Sequence, residues 1–502
     1  MIYKYIDNFF KISERNTLIK KEIIGGITTF LAMIYILSVN PSILSLADGQ
    51  GGKRGFLAAI FLGTAISSFL ATFLMGVFAN VPLVLAPGMG INAFFTFNVA
   101  NALGIGYGGA LLAVFISGNL YFLIAVTNLR KYLVNSVSKN LKISISVLIG
   151  LLIGYIGLQN MGVIVSNPAT LTGLGDFKNP MVIIGILVFL IMIVLYLLKI
   201  QGAVIISMIA GVIMLAITYG ISKNWTLDDS SPLKGTIEGL RETFQLRTFS
   251  DFTKFSEASK EMWTSASKAF SNPLFYWSIF TFLYVDFFDT TGTLMVFDSM
   301  ISKEHYYNEE FRTKWIKRAN IIDGTSTIFG SLLLNSSVTT YVESAVAIKS
   351  GAKTGISSLT TSFLFLISIA LWPILGPLLP IKTGPFSSIQ PITGPVLIFI
   401  SILILKELRH FEWKKTYDVV VLLITVLIGV LGFSISVGIS FGFASYLLTY
   451  GLVDTIKYLI KRKEYQEKNI KYLDFMKNGL NLTVLAIAII SITYIILNIF
   501  YH

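Results

Sequence analysis

The sequence has no cysteine among its 502 residues. That excludes disulfides, zinc–thiolate sites, iron–sulfur clusters and a cysteine nucleophile. Histidine is almost missing too. His305, His410 and His502 are the whole set, and none has a histidine neighbour at metal-ligand spacing. A histidine-based metal site has no sequence support. Charge is scarce: Asp, Glu, Lys and Arg make up 13% of the chain, about half the fraction of a soluble globular protein. What replaces them is apolar. Hydrophobic residues reach 54%, and runs of roughly 20 of them, each long enough to cross a bilayer, recur from Ile23 almost to the C-terminus. A soluble enzyme on a single anchor is ruled out. The 39 Lys and Arg outnumber the 27 Asp and Glu, for a net charge of +12. In a soluble chain this would suggest nucleic-acid binding. Here the excess falls in short loops, where it reports membrane orientation, so no nucleic-acid partner is expected.

Residues 1–22 read as a cytoplasmic lead. Lys4, Lys11, Arg15, Lys20 and Lys21 are scattered through it, and no small-residue cleavage pattern follows a short apolar core. Fourteen apolar segments follow: 23–45, 56–79, 83–102, 108–127, 143–160, 180–198, 202–221, 274–299, 320–334, 337–350, 355–379, 391–407, 417–433 and 435–456. With the N-terminus inside, the cytoplasmic loops hold Arg130, Lys131, Lys139 and Lys142; Lys199; Arg312, Lys314, Lys317 and Arg318; Lys349 and Lys353; Lys406, Arg409, Lys414 and Lys415; and Lys457, Lys461, Arg462 and Lys463. The opposite loops are poorer in Lys and Arg. The longest, 222–273, carries seven basic and seven acidic residues and reads as a neutral extracellular loop. A fifteenth apolar stretch, 479–500, either crosses again or lies along the bundle or interface.

Two segments depart from a plain apolar helix. Segment 3 opens on Pro82, Pro87, Gly88 and Gly90. The stretch into segment 10 is small and polar: Gly330, Ser331, Asn335, Ser336, Ser337, Thr339 and Thr340. Each is third in a run of seven. An odd number of crossings per half turns the two halves upside down relative to each other. Paired interrupted segments at matching positions mark the midplane site of a transporter, because non-helical backbone at membrane depth survives only inside protein or along a wet cavity. The expected fold is therefore an all-α polytopic membrane protein of 7+7 inverted repeats. It has 14 transmembrane segments, with segments 3 and 10 broken by short extended stretches.

Carboxylates at membrane depth stand out. Segment 8 contains Val285-Asp286-Phe287-Phe288-Asp289-Thr290-Thr291-Gly292-Thr293, and segment 10 contains Thr339-Thr340-Tyr341-Val342-Glu343-Ser344. A charge at the bilayer centre costs about 2.5–3.5 kcal/mol on insertion scales, which makes Asp289 and Glu343 functional candidates. Asp286, Asp289 and Thr293 share a helix face at i, i+3 and i+7. Asp298, near the cytoplasmic end, reads as solvated. Asn92 either satisfies the helix start after Pro87-Gly88-Met89-Gly90 or donates and accepts toward a ligand. Gly104-Ile105-Gly106-Tyr107-Gly108-Gly109 lacks the Lys-Ser/Thr of a P-loop and follows no soluble strand, so it reads as a turn. No nucleophile or metal set accompanies the acids, so an intramembrane enzyme is not indicated.

These stretches resemble the azaguanine-like hypoxanthine/guanine/adenine permeases, a branch of the nucleobase transporters. The matching pieces are Gly25-Gly26-Ile27-Thr28-Thr29-Phe30 with Tyr35-Ile36-Leu37, Leu85 through Phe95, Val285 through Leu294, and Thr339 through Ala345. The resemblance implies a core built from 23–127 and 274–379 that moves against a gate built from 143–221 and 391–456. It places a purine between segments 3 and 10, facing segment 8. Asp289 and Glu343 would be the main ligands, with Gly90 and Asn92 from segment 3 and with Thr293, Ser337 and Tyr341 completing the site. Two features depart from the family pattern: the long 222–273 stretch, and Asn335-Ser336-Ser337-Val338 in place of a more threonine-rich run.

The function expected is secondary active import of hypoxanthine, guanine or adenine by proton symport, with Asp289 or Glu343 carrying the proton and no cofactor. The setting is a cell membrane, with lipid around the chain and a homodimer as a candidate assembly. A uracil- or xanthine-type permease is the first alternative. A sulfate-permease-type anion transporter is the second, but its site would want positive or neutral groups in place of two acids.

Overall fold

The computed structural model describes residues 2–47, 54–127, 138–167, 171–200, 202–222, 234–244, 248–302, 304–374, 381–382, 388–460 and 482–501. Of the features set out above, Arg130, Lys131, Lys461, Arg462, Lys463 and the stretches 223–233, 245–247, 375–379 and 479–481 lie outside these residues.

The chain is mostly helical. The N-terminal half runs α1 (Ile2–Phe10), α2 (Ile19–Met33), α3 (Ile36–Leu44), α4 (Arg54–Leu74), β1 (Leu85–Pro87), α5 (Met89–Ala93), α6 (Gly106–Val126), α7 (Lys139–Asn160), β2 (Ile164–Asn167), β3 (Leu171–Leu174), α8 (Pro180–Leu197) and α9 (Ala203–Ser222). After α10 (Lys234–Thr243), α11 (Phe255–Thr264) and α12 (Ala266–Phe270) come α13 (Pro273–Ile301), α14 (Glu309–Leu332), β4 (Val338–Thr340), α15 (Ala345–Lys349) and α16 (Gly355–Ile367). The chain ends with β5 (Ile381–Lys382), β6 (Ser388–Ile389), α17 (Thr393–Leu405), α18 (Thr416–Leu431), α19 (Ile435–Tyr446), α20 (Asp454–Ile460) and α21 (Leu482–Tyr501). Among the described residues, 8 helices are long and apolar enough to span a membrane. The molecule is a polytopic membrane-type protein.

Local sequence fixes where these helices start. Asn179, Asn272, Asn308 and Ser434 each accept a backbone N–H of the first turn, and Pro180 and Pro273 stand at the first helical position. A side-chain acceptor at the cap and a proline that needs no donor both satisfy the open helix end. Helices α13 and α14 contain 29 and 24 residues, about 44 and 36 Å of helix. Both are long enough to cross, yet both carry acids in mid-course.

The all-α expectation needs one correction. Three two-stranded antiparallel pieces are present, pairing β1 with β4, β2 with β3 and β5 with β6. The first pair sits in the core. Leu85 faces Thr340, Ala86 faces Thr339, and Pro87 faces Val338, and all six residues are buried. Gly88 N donates to Ser337 O at 2.9 Å and Tyr341 N to Val84 O at 3.0 Å, extending the ladder at both ends. Two extended segments, one from each half, thus satisfy each other's backbone groups without water. Pro87, which has no N–H, stands at the end of its strand where none is needed. The other two pairs are connections between helices.

The 222–273 stretch and the N-terminal lead both carry helices. Residues 234–273 carry α10 to α12 and a 3-10 turn (Phe249–Lys254); α11, α12 and the turn pack on α4 or α6, and α10 packs on β5 and α9. Leu240, Ala258, Met262 and Ala269 are buried there. Phe252 stacks on Phe61 and touches Trp372, and Trp372 Nε1 donates to Thr248 O at 3.2 Å. The apolar positions that look sparse in a charge-rich sequence are collected on one face. The lead is also anchored. Arg15 donates to Asn80 O at 2.5 Å and Lys353 O at 2.7 Å, with its guanidinium over the rings of Tyr306 and Phe311 at 5.2 and 5.1 Å. A buried, charge-assisted donor of this kind contributes about 1.5–3 kcal/mol. Arg15→Ala is expected to lower the melting temperature of the purified protein and to make the first 20 or so residues the earliest site of limited proteolysis. A variant that melts and cleaves like the parent would show the anchor to be idle.

The C-terminal helix α21 packs on α19 and α13. Tyr494 stacks on Trp277 at 4.7 Å between ring centroids, and Val484, Ile487, Ala488 and Ser491 are buried.

Candidate functional site

The crossing strands bring segments 3, 8 and 10 together, and α2–α3 adds a fourth wall. The first membrane helix is interrupted between Met33 and Ile36, and Tyr35 sits in the break as the N-terminal flank of α3. From there it donates its hydroxyl to Glu343 Oε1 at 2.9 Å. Glu343 lies in a 3-10 turn, Val342–Ser344, directly after β4. Ser344 locks that turn to segment 3 by accepting Val84 N–H at 2.9 Å.

Asp289 belongs to α13 and faces the same place. It lies within electrostatic reach of Glu343, and both carboxylates act on Tyr341. The two acids differ in their support. Glu343 is half-buried and held by Tyr35. Asp289 is exposed, and no hydrogen bond to another described residue fixes it. One turn on, Gly292 is exposed as well, and a Cβ built there would meet nothing within 4 Å. An open space therefore runs along the Asp289–Gly292 face, bordered by Glu343 and the tyrosines. Two further hollows, of about 400 and 330 Å³, lie around Leu103 and Leu274 and contain none of these carboxylates.

The remaining candidates are placed as follows. Tyr341 is buried, with its hydroxyl donated to Pro87 O and its N–H to Val84 O. Thr293 is buried on the face of Asp289. Gly90 abuts the neighbouring bundle, since a Cβ there would lie 2.5 Å from Ile149 Cγ2 on α7. Ser337 is buried with its hydroxyl 3.0 Å from Thr327 Oγ1, turned toward α14. Asn92 is fully buried. Its amide donates to Asn40 Oδ1 at 2.7 Å, and its Oδ1 accepts from Ser336. Asn92 thus joins α5 to α3 and to the turn before β4, and its hydrogen-bonding groups are engaged within the protein. The structure brings Asp289, Glu343 and Tyr341 within electrostatic reach of one another, with Thr293 one turn beyond Asp289 on α13. The side chains of Asn92 and Ser337 are engaged with other protein groups.

Two residues were not picked out from the sequence. Tyr35 appeared only as part of a motif, and its role as the donor to Glu343 needs the helix break to be seen. Asp323 was missed altogether. It is 0% exposed on α14, accepting Thr290 Oγ1 at 2.6 Å and Thr340 N at 3.1 Å. Its signal is the run Asp323-Gly324-Thr325-Ser326-Thr327, small and hydroxyl-rich like the run after Asp289.

Known proteins resemble this chain over most of its length. The family model described as Permease family (Xan_ur_permease) matches residues 20–441. The guanine/hypoxanthine permease PbuO of Bacillus subtilis (strain 168) is 32% identical over 441 residues, covering 87% of this chain and 93% of that protein. The adenine permease AdeP of Escherichia coli (strain K12) is 31% identical over 441 residues, covering 88% and 89%. Among solved structures, the transmembrane domain of a cyanobacterium bicarbonate transporter, BicA, superposes with a TM-score of 0.53 at 13% identity. The match covers 84% of this chain and 97% of that one, a likeness of fold.

Proposed function

The chain belongs to the Permease family, and from that premise we propose that it imports purine nucleobases by proton-coupled secondary active transport. It is a multi-pass membrane permease and not an enzyme. The observation that carries the substrate class is the facing pair Asp289 and Glu343. A purine base is flat and neutral, with N–H donors along its edge. A carboxylate pair accepts such donors, and an analogue without them leaves buried charge unpaired, which discriminates strongly. The guanine/hypoxanthine and adenine permeases named above support the same class.

The seven-plus-seven arrangement belongs to this proposal, with 23–127 and 274–379 as core and 143–221 and 391–456 as gate. So do the cytoplasmic N-terminus, the cell-membrane location and the possibility of a homodimer. An anion cargo is disfavoured on the same physics. Among the described buried side chains Arg15 is the only cation, and it is engaged at the N-terminal anchor.

Ligand-dependent melting of the purified protein tests the reading. A base that binds only the folded state stabilises it by about 2.7 kcal/mol at a hundredfold excess over Kd. Hypoxanthine, guanine and adenine are expected to raise the melting temperature by several degrees, and sulfate not at all. A rise with uracil or xanthine alone would transfer the chain to the first alternative. A rise with sulfate alone would refute the carboxylate site.

A further inference from the structure

Beside Asp289 and Glu343 lies a second pair of acids that is fully buried. Asp286 on α13 and Asp323 on α14 are 1% and 0% exposed. Thr327 Oγ1 donates to Asp286 Oδ2 at 2.9 Å, and Thr290 Oγ1 donates to Asp323 Oδ2 at 2.6 Å. Thr290 follows Asp286 by four residues and Thr327 follows Asp323 by four. Each helix thus supplies an acid and, one turn on, the hydroxyl that holds the other helix's acid. Strand β4 closes the third side. Thr340 N donates to Asp323 Oδ1 at 3.1 Å, Thr339 Oγ1 lies 2.7 Å from Thr290 Oγ1, and Ser337 Oγ lies 3.0 Å from Thr327 Oγ1. Ser337 and Thr339 also border Asp286. Each acid thus sits at the end of its own pair of hydroxyls, Thr327 and Ser337 at Asp286, Thr290 and Thr339 at Asp323.

Among the described residues no cation pairs with them. The two acids act on each other, and Asp289 one turn away acts on both. Beyond Asp289 stand Glu343 and Tyr341. The packed neighbours β1, Phe56–Leu74 of α4 and all of α6 contain no Asp, Glu, Lys, Arg or His, and Tyr121 of α6 is bonded to Asn320. Asp286 Oδ1 is buried without a hydrogen-bond partner. Two adjoining buried carboxyls, with one oxygen lacking a hydrogen-bond partner and no cation paired with either among the described residues, cannot both stay ionised.

We propose that the Asp286–Asp323 pair, and not the substrate-facing pair, carries the coupling proton. This rests on reading the chain as a proton-driven purine permease. From the outer side water delivers H⁺ by way of the space at Asp289, and one –COO⁻ of the pair becomes –COOH. On the inner side the same O–H bond breaks and H⁺ returns to water. Coupling to the site follows from β4. Protonating Asp323 weakens its acceptance of the Thr340 N–H, three residues before Glu343, so the state of the pair is transmitted to the turn that holds the substrate carboxylate.

Proteoliposomes test this with Asp286→Asn and Asp323→Asn, each fixing one member in a neutral form. With one proton per base, a gradient of one pH unit drives about tenfold accumulation of hypoxanthine by the parent. Each variant is expected to bind hypoxanthine and exchange it across the membrane, to accumulate none, and to lose the pH dependence of binding. Accumulation and pH dependence like the parent's in both variants would overturn the proposal. So would pH-independent binding by the parent. A parent that binds no purine would refute the transport reading instead. Infrared spectroscopy of the parent gives a check that needs no variant to fold. A protonated-carboxyl C=O band is expected at neutral pH, shifting in D₂O and changing when hypoxanthine binds, and its absence would also overturn the proposal.

Discussion

Glu343→Gln is expected to weaken hypoxanthine and guanine binding roughly 100- to 1,000-fold, about 3–4 kcal/mol, the range for removing one partner of a buried, charge-assisted contact. The loss is a matter of donors and acceptors. Tyr35 already takes one lone pair of Glu343 Oε1, and the rest of the carboxylate is free to accept. An amide turns half of that edge into a donor, which then meets the N–H groups of the base. Asp289→Asn is expected to have an effect of similar size, because its carboxylate has no partner in the protein to reorganise around. Stability without ligand should move the other way. Asp289 and Glu343 repel each other across the space, so neutralising either removes a like-charge cost and leaves the melting temperature unchanged or higher. Tyr35→Phe should fall between, with a several-fold loss of affinity, since it leaves the charge and removes only its orientation. Isothermal titration on the purified variants, with melting curves beside it, reads both signs. Tight purine binding by either neutralised variant would refute the site. A large drop in unliganded stability would make these acids structural.

The crossing segments could be read because extended backbone has to be flagged by residues that do not suit a helix, and Pro87, Gly88 and the Asn335–Ser337 run supply them. Asp289 and Glu343 could be read because a charge far from either end of an apolar stretch has no cheap explanation. Asp323 could not be read that way. The apolar stretch around it starts only at 320, after Arg312, Lys314, Lys317 and Arg318, so an acid there looks like a solvated end. The helix in fact starts at Glu309, which puts Asp323 fourteen residues in, about 21 Å along it. Asn92 shows the opposite problem. Its type and position suit a ligand, but its partners, Asn40 and Ser336, come from an element 52 residues earlier and one 244 later. Spacing in the sequence carries no trace of a pairing that only the fold creates. The 234–273 stretch was obscured by its balanced charges, which hide short amphipathic helices whose apolar sides find α4, α6, α9 and β5.

The second large effect is expected far from any charge, at Gly63→Ala. Gly63 lies in α4 against the last turn of α14, and a Cβ there would stand 1.8 Å from Leu333 O and 3.2 Å from Asn335 Nδ2. No side-chain rotation relieves a clash with a carbonyl oxygen, so backbone must move. The turn it would push is tightly held. Leu334 adopts a left-handed φ of 63°. Asn335 N donates to Gly330 O at 2.8 Å, and its Oδ1 accepts from Asn40 at 2.6 Å and Thr64 at 3.0 Å. Its Nδ2 donates to Ser67 at 3.2 Å. Three of those partners, Asn40, Thr64 and Ser67, sit on α3 and α4, so any shift that makes room for the methyl stretches the bonds that set the start of β4. Overpacking alone costs about 1–3 kcal/mol, and each buried polar group left unpaired adds about 1–3 kcal/mol. The expected result is a protein that melts several degrees lower, and whose folded fraction binds purines weakly because β4 leads into the turn that holds Glu343 and carries the contacts to Asp323. Gly220→Ala in α9 is the matched control. Nothing lies within 4 Å of its Cβ position, and alanine in a helix is favoured by up to about 1 kcal/mol. Equal melting temperatures for the two variants would mean that α4 and the turn before β4 do not form the rigid joint described here.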